Sequence, residues 1–273
     1  MSQVPETPLT SFTRNTGCSC KIAPQVLEQI IKPGSGMDVF PQLLVGNESL
    51  DDAAVMDLGN GSGLIATTDF FTPIVDEPFE YGKIAAANAI SDVYAMGGKP
   101  ILALAILGWP VDKLPAELAA EVIEGARAVC REAGIPLAGG HSIDTTDPIF
   151  GLTVNGMIPI EGIKKNKGGK TGDLLFLTKP IGSGIGSTAR KRGLLKAEHN
   201  DALLQTMCSL NRIGEVLGTM KGIHALTDVT GFGLLGHLGE MTYGSDCGAE
   251  LYYDRLKLLP GVSEYIQQRI FPD

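Results

Sequence analysis

The apolar residues of this chain change period several times, and the changes mark its elements. Ile101-Leu102-Ala103-Leu104-Ala105-Ile106-Leu107 is an unbroken apolar run between Lys99-Pro100 and Gly108-Trp109-Pro110. A run of that length between breakers predicts a strand buried on both faces. Gly63-Leu64-Ile65-Ala66-Thr67-Thr68 and Ile149-Phe150-Gly151-Leu152-Thr153-Val154 read as further strands. Between them, Phe79 to Met96 and Pro115 to Ala133 repeat Ala, Leu, Ile and Glu with a helical period, and Pro115 suits a first helical turn.

The patterning lapses from Pro159 to Gly172, where Lys and Gly accumulate. This stretch predicts a linker, with Lys164-Lys165-Asn166-Lys167-Gly168-Gly169-Lys170 read first as a solvated basic run and second as an anion-binding patch. A second apolar series follows. Leu174-Leu175-Phe176-Leu177 is a candidate strand, Asp201 to Met220 a long helix, Ala225-Leu226 a short strand and Leu234 to Met241 another helix. The expected organisation is a lead-in arm over 1–48, a first domain over 49–158, a linker over 159–172 and a second domain over 173–273. The fold class is α+β with mixed sheets, and no tandem repeat of fixed period occurs.

Composition narrows the partners. The 273 residues are 44% hydrophobic, enough for a sizeable core, and carry a formal charge of -9. An acidic chain argues against nucleic acid as the partner, since a phosphate backbone needs a basic surface. No apolar run reaches the length of a bilayer span, and Met1-Ser2-Gln3-Val4-Pro5-Glu6-Thr7-Pro8 lacks a charged-then-apolar signal pattern, so the expected location is the cytoplasm. Five cysteines, an odd number, make no disulfide framework. Cys130, Cys208 and Cys247 lie in apolar stretches and are expected as small buried side chains.

Candidate chemistry sits in loops and in one helix. Ala138-Gly139-Gly140-His141-Ser142 follows a short strand candidate, and Gly231-Phe232-Gly233 opens a helix candidate. Both could offer backbone N–H groups to phosphate, although neither is a P-loop. Asp51-Asp52 and Asp69 fall at predicted strand ends, where carboxylates commonly cap turns, and Asp228 could cap a helix ahead of Gly231. Asp92 is different. It shares a helix with Ala85, Asn88, Ala89 and Met96, where an unpaired carboxylate is costly and a bound cation would remove the cost. Mg²⁺, with its hard oxygen ligands, fits aspartates drawn from several segments. Cys18 and Cys20 are too sparse for structural zinc, and His141, His199, His224 and His237 show no paired spacing. A cysteine near Lys21 is a ready nucleophile, or else the arm is exposed and its cysteines do nothing.

Taken together the residues carry a resemblance. Gly17-Cys18-Ser19-Cys20-Lys21, Leu43-Leu44-Val45-Gly46-Asn47-Glu48, Asp51-Asp52-Ala53-Ala54-Val55, Thr67-Thr68-Asp69-Phe70-Phe71, Asn88-Ala89-Ile90-Ser91-Asp92, Met96-Gly97-Gly98-Lys99-Pro100, Ala138-Gly139-Gly140-His141-Ser142 and Thr227-Asp228-Val229-Thr230-Gly231-Phe232-Gly233 resemble, in order, the selenophosphate synthetases, also called selenide, water dikinases. Aminoimidazole ribonucleotide synthetase and thiamine-monophosphate kinase share the acidic motifs but not the Cys-Ser-Cys-Lys arm. The resemblance implies ATP-dependent phosphorylation of selenide, with release of AMP and orthophosphate and a requirement for Mg²⁺. The product would supply selenium for selenocysteine and for selenium-modified tRNA. It implies Cys18 and Lys21 as catalytic residues and Asp52, Asp92 and Asp228 as metal ligands. Lys21, Ser49, Leu50, Asp51, Asp69, Asp92, Gly140, His141 and Ser142 are implied to bind ATP.

The implied fold is aminoimidazole ribonucleotide synthetase-like: an N-terminal α/β domain whose sheet joins a second copy in a homodimer, then an α+β domain. Members of that family continue with further glycine-rich segments, whereas this chain stops at Ile270-Phe271-Pro272-Asp273, so an incomplete second domain is expected. Two other readings stand beside this one. A sister enzyme acting on a different small substrate would keep the aspartates and dispense with the Cys18 thiol. A non-catalytic relative would bind nucleotide weakly and make no AMP.

Overall fold

A computed structural model describes residues 8–13, 22, 26, 29–30, 40–46 and 51–272. Six strands make one sheet: β1 (Leu43–Val45), β2 (Ala54–Asp57), β3 (Ser62–Phe71), β4 (Lys99–Trp109), β5 (Leu137–Asp144) and β6 (Ile149–Pro159). They lie in the order β1-β2-β3-β6-β4-β5. Every neighbouring pair is antiparallel except β4 and β5. A parallel pair needs a long crossover, and here it is helix α2 (Ala116–Ala133). Helix α1 (Pro78–Ala95) likewise carries the chain from β3 to β4.

The two helices cover one face of the sheet. Tyr81, Ile84, Ile90 and Val93 of α1 and Leu118, Val122 and Val129 of α2 share a core with Val55, Ile65, Ala103, Phe150, Leu152 and Val154 from the strands. The other face is open: Met56 is 43% exposed, Phe70 48%, Ile101 42% and Ile143 54%. The expectation that residues 101–107 are buried on both faces is therefore corrected. Ala103 is buried and Leu104 exposed, because among the described residues a helical layer lies on one side alone.

Beyond β6 the architecture changes. Five helices follow: α3 (Ser183–Lys191), α4 (Ala197–Cys208), α5 (Ile213–Gly218), α6 (Gly233–Gly244) and α7 (Val262–Gln267). Two small apolar clusters serve them, one of Ala189, Tyr265 and Ile270 and one of Leu203, Leu259 and Val262. The predicted strands at 174–177 and 225–226 do not form. A strand needs a run of hydrogen bonds to a neighbour; among the described residues 174–177 has none and 225–226 has only the Leu226 N–H to the Lys165 carbonyl at 3.0 Å, while Leu174 is 78% exposed and Phe176 82%. The predicted helix from Asp201 to Met220 is two helices, α4 and α5. At the break Ser209 turns its hydroxyl back onto the Gln205 carbonyl at 2.5 Å.

The basic run at 164–170 is not simply solvated. Lys164 and Asn166 are buried, and Lys164 donates from Nζ to the carbonyls of Met220 at 3.0 Å and Ile223 at 3.1 Å. Those carbonyls lie just past α5, so the ammonium ties the 219–223 turn to the first half of the chain. The same seam is tight elsewhere. A Cβ on Gly214 would stand 2.1 Å from the Tyr94 carbonyl oxygen, and one on Gly218 2.1 Å from that of Gly97, so glycine lets α5 touch the end of α1. Cys130 and Cys208 are buried as expected, whereas Cys247 is half-exposed. Among the described residues no helix is long and apolar enough to cross a membrane.

Candidate active site

Strand and helix periodicities combine to build an acidic cluster. Thr67 and Asp69 lie two apart on β3 and so face the same side; Asn88, Ser91 and Asp92 lie on one face of α1 at spacings of three and four. The two rows interlock. Thr67 Oγ1 donates to Asp92 Oδ2 at 2.5 Å, and Asn88 Nδ2 donates to Asp69 Oδ2 at 2.5 Å. Ser91 Oγ donates to Asp228 Oδ2 at 2.5 Å and accepts from Asn211 Nδ2 at 2.7 Å. Thr227 Oγ1 donates to Asp52 Oδ1 at 3.1 Å, and the Asn166 backbone N–H donates to Asp51 Oδ1 at 2.8 Å. Aspartates from four places in the chain thus meet, with Asp228 reaching across from the second half.

Their charges oppose one another. Burial, then the Asp228 charge, pushes the Asp52 carboxyl well above its ordinary value, against the hydrogen bond from Thr227. Asp92 is likewise pushed well up by burial, by Asp228 and by Asp69, against the bond from Thr67. The second oxygens, Asp51 Oδ2 and Asp52 Oδ2, are buried without a hydrogen-bond partner among the described residues. A buried carboxylate oxygen without a donor is costly unless a cation meets it. Among the described residues no three His, Cys, Asp or Glu side chains close into a ready-made metal cage. An open set of hard oxygens suits Mg²⁺, which keeps waters and takes phosphate oxygens as its remaining ligands.

The other expected site residues are placed unevenly. Asp69 lies within β3, two residues short of its end, rather than at it. Asp228 is not a helix cap; Phe232 holds that position ahead of α6. Gly139 and Gly140 lie inside β5 and not in a loop after a strand. Gly140 has φ +155, and a Cβ there would stand 2.0 Å from the Ala105 carbonyl oxygen, so the glycine serves the pairing with β4. His141 and Ser142 are exposed on this edge strand. Along the register Asp69 faces Leu152, Leu152 faces Ala105 and Ala105 faces Gly140, which puts Gly140 three strand spacings, about 14 Å, from Asp69. The structure therefore does not join Gly140, His141 and Ser142 to the aspartates of the same chain. Cys18, Lys21, Ser49 and Leu50 lie outside the described residues.

Several participants escaped the sequence reading. Thr67, Asn88, Ser91 and Thr227 sit inside the quoted motifs, and the i, i+3, i+4 polar stripe of α1 was a legible signal for two of them. Asn211 gave a weaker one, as a polar residue midway through what read as one helix. Lys179 gave only its isolation in an apolar stretch. Its Nζ donates to the Ser209 carbonyl; burial lowers its pKa, while the charge of Asp228 acts to raise it.

Comparison with known proteins agrees with this fold. The family model for the N-terminal domain of AIR synthase related proteins matches residues 50–158, and that for their C-terminal domain matches residues 170–269. In fold, the chain resembles thiamine monophosphate kinase from Aquifex aeolicus, with a TM-score of 0.70 at 17% identity over 90% of this chain and 79% of that one. It also resembles the hydrogenase maturation protein HypE in complex with ATP, with a TM-score of 0.67 at 23% identity over 85% of this chain and 70% of that one. In sequence it is 56% identical over 264 residues to the selenide, water dikinase of Cronobacter sakazakii, covering 97% of this chain and 76% of the relative. It is also 56% identical over 267 residues to that of Photorhabdus laumondii subsp. laumondii, covering 98% of this chain and 77% of the relative. At this identity over nearly its whole length, and with both AIR synthase related domains, the chain belongs to the selenide, water dikinase family.

Proposed function

We propose that this chain makes selenophosphate from selenide, ATP and water, releasing AMP and orthophosphate. The observation that carries the reading is the meeting of Asp51, Asp52, Asp69, Asp92 and Asp228, two of them with buried oxygens that have no hydrogen-bond partner among the described residues, in a chain 56% identical to selenide, water dikinases. Phosphoryl transfer depends on charge neutralisation and in-line placement more than on covalent steps, and clustered carboxylates that can gather cations around a triphosphate suit it.

In this reading Asp52, Asp92 and Asp228 hold Mg²⁺, with Asp51 and Asp69 at the nucleotide. When bound, Mg²⁺ supplies neutralisation of the phosphate charges. The chain's own hydroxyls and amides keep the carboxylates aimed: Thr67 holds Asp92, Asn88 holds Asp69, and Asn211 acts through Ser91 on Asp228. Cys18 handles selenium and Lys21 offsets the negative charge that develops on the transferred phosphoryl group. Ser49 and Leu50 complete the nucleotide contacts beside Asp51.

The molecule acts as a homodimer in this reading. Support comes from the open sheet face, where Met56, Phe70, Ile101 and Ile143 are exposed, and from the uncovered edge strand β5. A second copy would also give Gly140, His141 and Ser142 a route to a nucleotide that their own aspartates do not offer. We read the chain as two working units, 49–158 and 173–273, joined through 159–172 and located in the cytoplasm.

The test is incubation of the protein with ATP, Mg²⁺ and selenide under anaerobic conditions, followed by phosphorus NMR. Selenophosphate and AMP should form together, depend on selenide and disappear in Cys18→Ser. ATP turnover that ignores selenide, or survives in Cys18→Ser, would refute the reading in favour of a sister kinase.

A further inference from the structure

We propose that Lys179 is a phosphate-binding residue of this site, its ammonium meeting the β- and γ-phosphates of the nucleotide on the side of Asp228. The inference rests on the ATP-dependent reading above and adds to it a residue that none of the acidic motifs contains.

Lys179 ends a segment that otherwise faces outward. Leu174, Leu175, Phe176 and Leu177 are all exposed, yet two residues later the lysine turns inward, half-buried, and donates to the Ser209 carbonyl. Ser209 immediately follows α4, so the ammonium sits where helix carbonyls lack intrahelical partners. That contact uses one of three N–H donors. Neither of the others has a hydrogen bond or ion pair among the described residues.

The turn it holds is part of the site. Two residues after Ser209, Asn211 donates to Ser91, and Ser91 donates to Asp228. Lys179 is also within the field of Asp228 itself. Through this turn the ammonium is linked to the acidic cluster from the second half of the chain, and among the described residues it has two donors to spare and no paired carboxylate.

Electrostatics gives those donors a use. A triphosphate approaching five aspartates meets repulsion that divalent cations offset only in part, and lysine is a common phosphate partner because it brings a compact charge with several donors. A simple clip on the end of α4 would explain the Ser209 contact. It would leave unexplained two further donors that no group among the described residues accepts, on a lysine clipped to the turn that reaches Asp228 through Asn211 and Ser91.

Lys179→Gln and Lys179→Arg separate the two roles. Glutamine keeps a donor for the Ser209 carbonyl but no charge; arginine keeps the charge. Calorimetric titration with Mg²⁺ and a non-hydrolysable ATP analogue, and separately with AMP, reads phosphate contact directly. The expected result is a loss of about 10- to 100-fold in affinity for the ATP analogue in the glutamine variant. Affinity for AMP, which lacks the outer phosphates, should stay within about twofold, arginine should recover most of the loss, and thermal midpoints should not move. Wild-type affinity for the analogue in Lys179→Gln would overturn the inference. So would equal losses for the analogue and AMP with a lowered midpoint, since that is the behaviour of a helix clip. If the unaltered protein itself fails to bind the analogue, the ATP reading falls first and takes this inference with it.

Discussion

The two halves of this chain are held together in different ways, and the acidic cluster lies where they meet. From Ala54 to Pro159 long strands and two long helices share one continuous core. From residue 163 onward short helices are tied by two small apolar clusters and, through Leu204, Met207 and Cys208, by the edge of the first core, and Leu174, Phe176 and Tyr243 stand in the open. The first half brings Asp51, Asp52, Asp69 and Asp92 on strands, a helix and a bend that packing fixes. The second half brings Asp228 and Lys179 on irregular segments. Groups on such segments move more readily than groups on packed elements, so Asp228 and Lys179 are held less firmly than the aspartates of the first half.

The largest effect should come from cutting the one carboxylate that the second half contributes. Asp228→Asn still accepts from Ser91 but removes the charge felt by Asp52, Asp92 and Lys179. Selenide-dependent AMP formation should fall by at least about a hundredfold, with the circular dichroism spectrum unchanged. A variant that retains half its turnover would show that the second half frames the site without taking part in it.

Next in size is the seam itself. Gly214→Ala places a Cβ 2.1 Å from the Tyr94 carbonyl oxygen, so α5 must move away from α1. Urea unfolding should show a loss of about 1–3 kcal/mol, as expected for overpacking a close contact. Gly222→Ala, with nothing within 4 Å of its Cβ, should change little and serves as the control. Equal stabilities would mean that the halves meet more loosely than the close approach of α5 to α1 indicates.

This contrast also explains what the sequence revealed. Helices α1 and α2 and strands β3, β4 and β6 were legible because each has a full apolar face over a core that the chain itself supplies. Leu174 to Leu177 has the same local pattern, but a strand is completed by its neighbour and none is available among the described residues. The reading of β4 failed on one side for a related reason: its outer face is apolar, yet nothing among the described residues covers it. Short strands β1 and β2 carry too few residues for a period, and Gly139-Gly140 disguised β5 as a loop. In the site, Asp92 was legible as a carboxylate among small apolar neighbours. Asp228 was legible by motif, but its partner Ser91 and the distant Asn211 and Lys179 are joined only by tertiary structure.

Lys164 tests the tie between the halves with a smaller change. Lys164→Met keeps an unbranched side chain only one atom shorter and removes the donors to the Met220 and Ile223 carbonyls. A loss of about 1–2 kcal/mol is expected by thermal unfolding, because two carbonyls lose a charged partner. A neutral result would show that water replaces the ammonium and that this residue does not hold the 219–223 turn.

The smallest expected effect concerns the first half alone, and its sign is informative. Asp92 has a folded-state pKa well above its unfolded value, chiefly because of burial. Below the unfolded value both states are protonated and the residue is neutral to folding. As pH rises from there toward the folded value, the folded state must keep a proton or accept a buried charge, so stability falls and stays lower at alkaline pH. Without Mg²⁺, Asp92→Asn should therefore be more stable than the unaltered protein at pH 8, by on the order of 1 kcal/mol, and equal to it near pH 3.5. Asparagine still accepts the bond from Thr67, so the gain reports the charge. Adding Mg²⁺ should reverse the order, stabilising the unaltered protein more than the variant. A variant less stable at pH 8 in the absence of Mg²⁺ would show that Asp92 is held for structure, and the comparison would lose its claim that the packed half tolerates strain at this site for the sake of a cation.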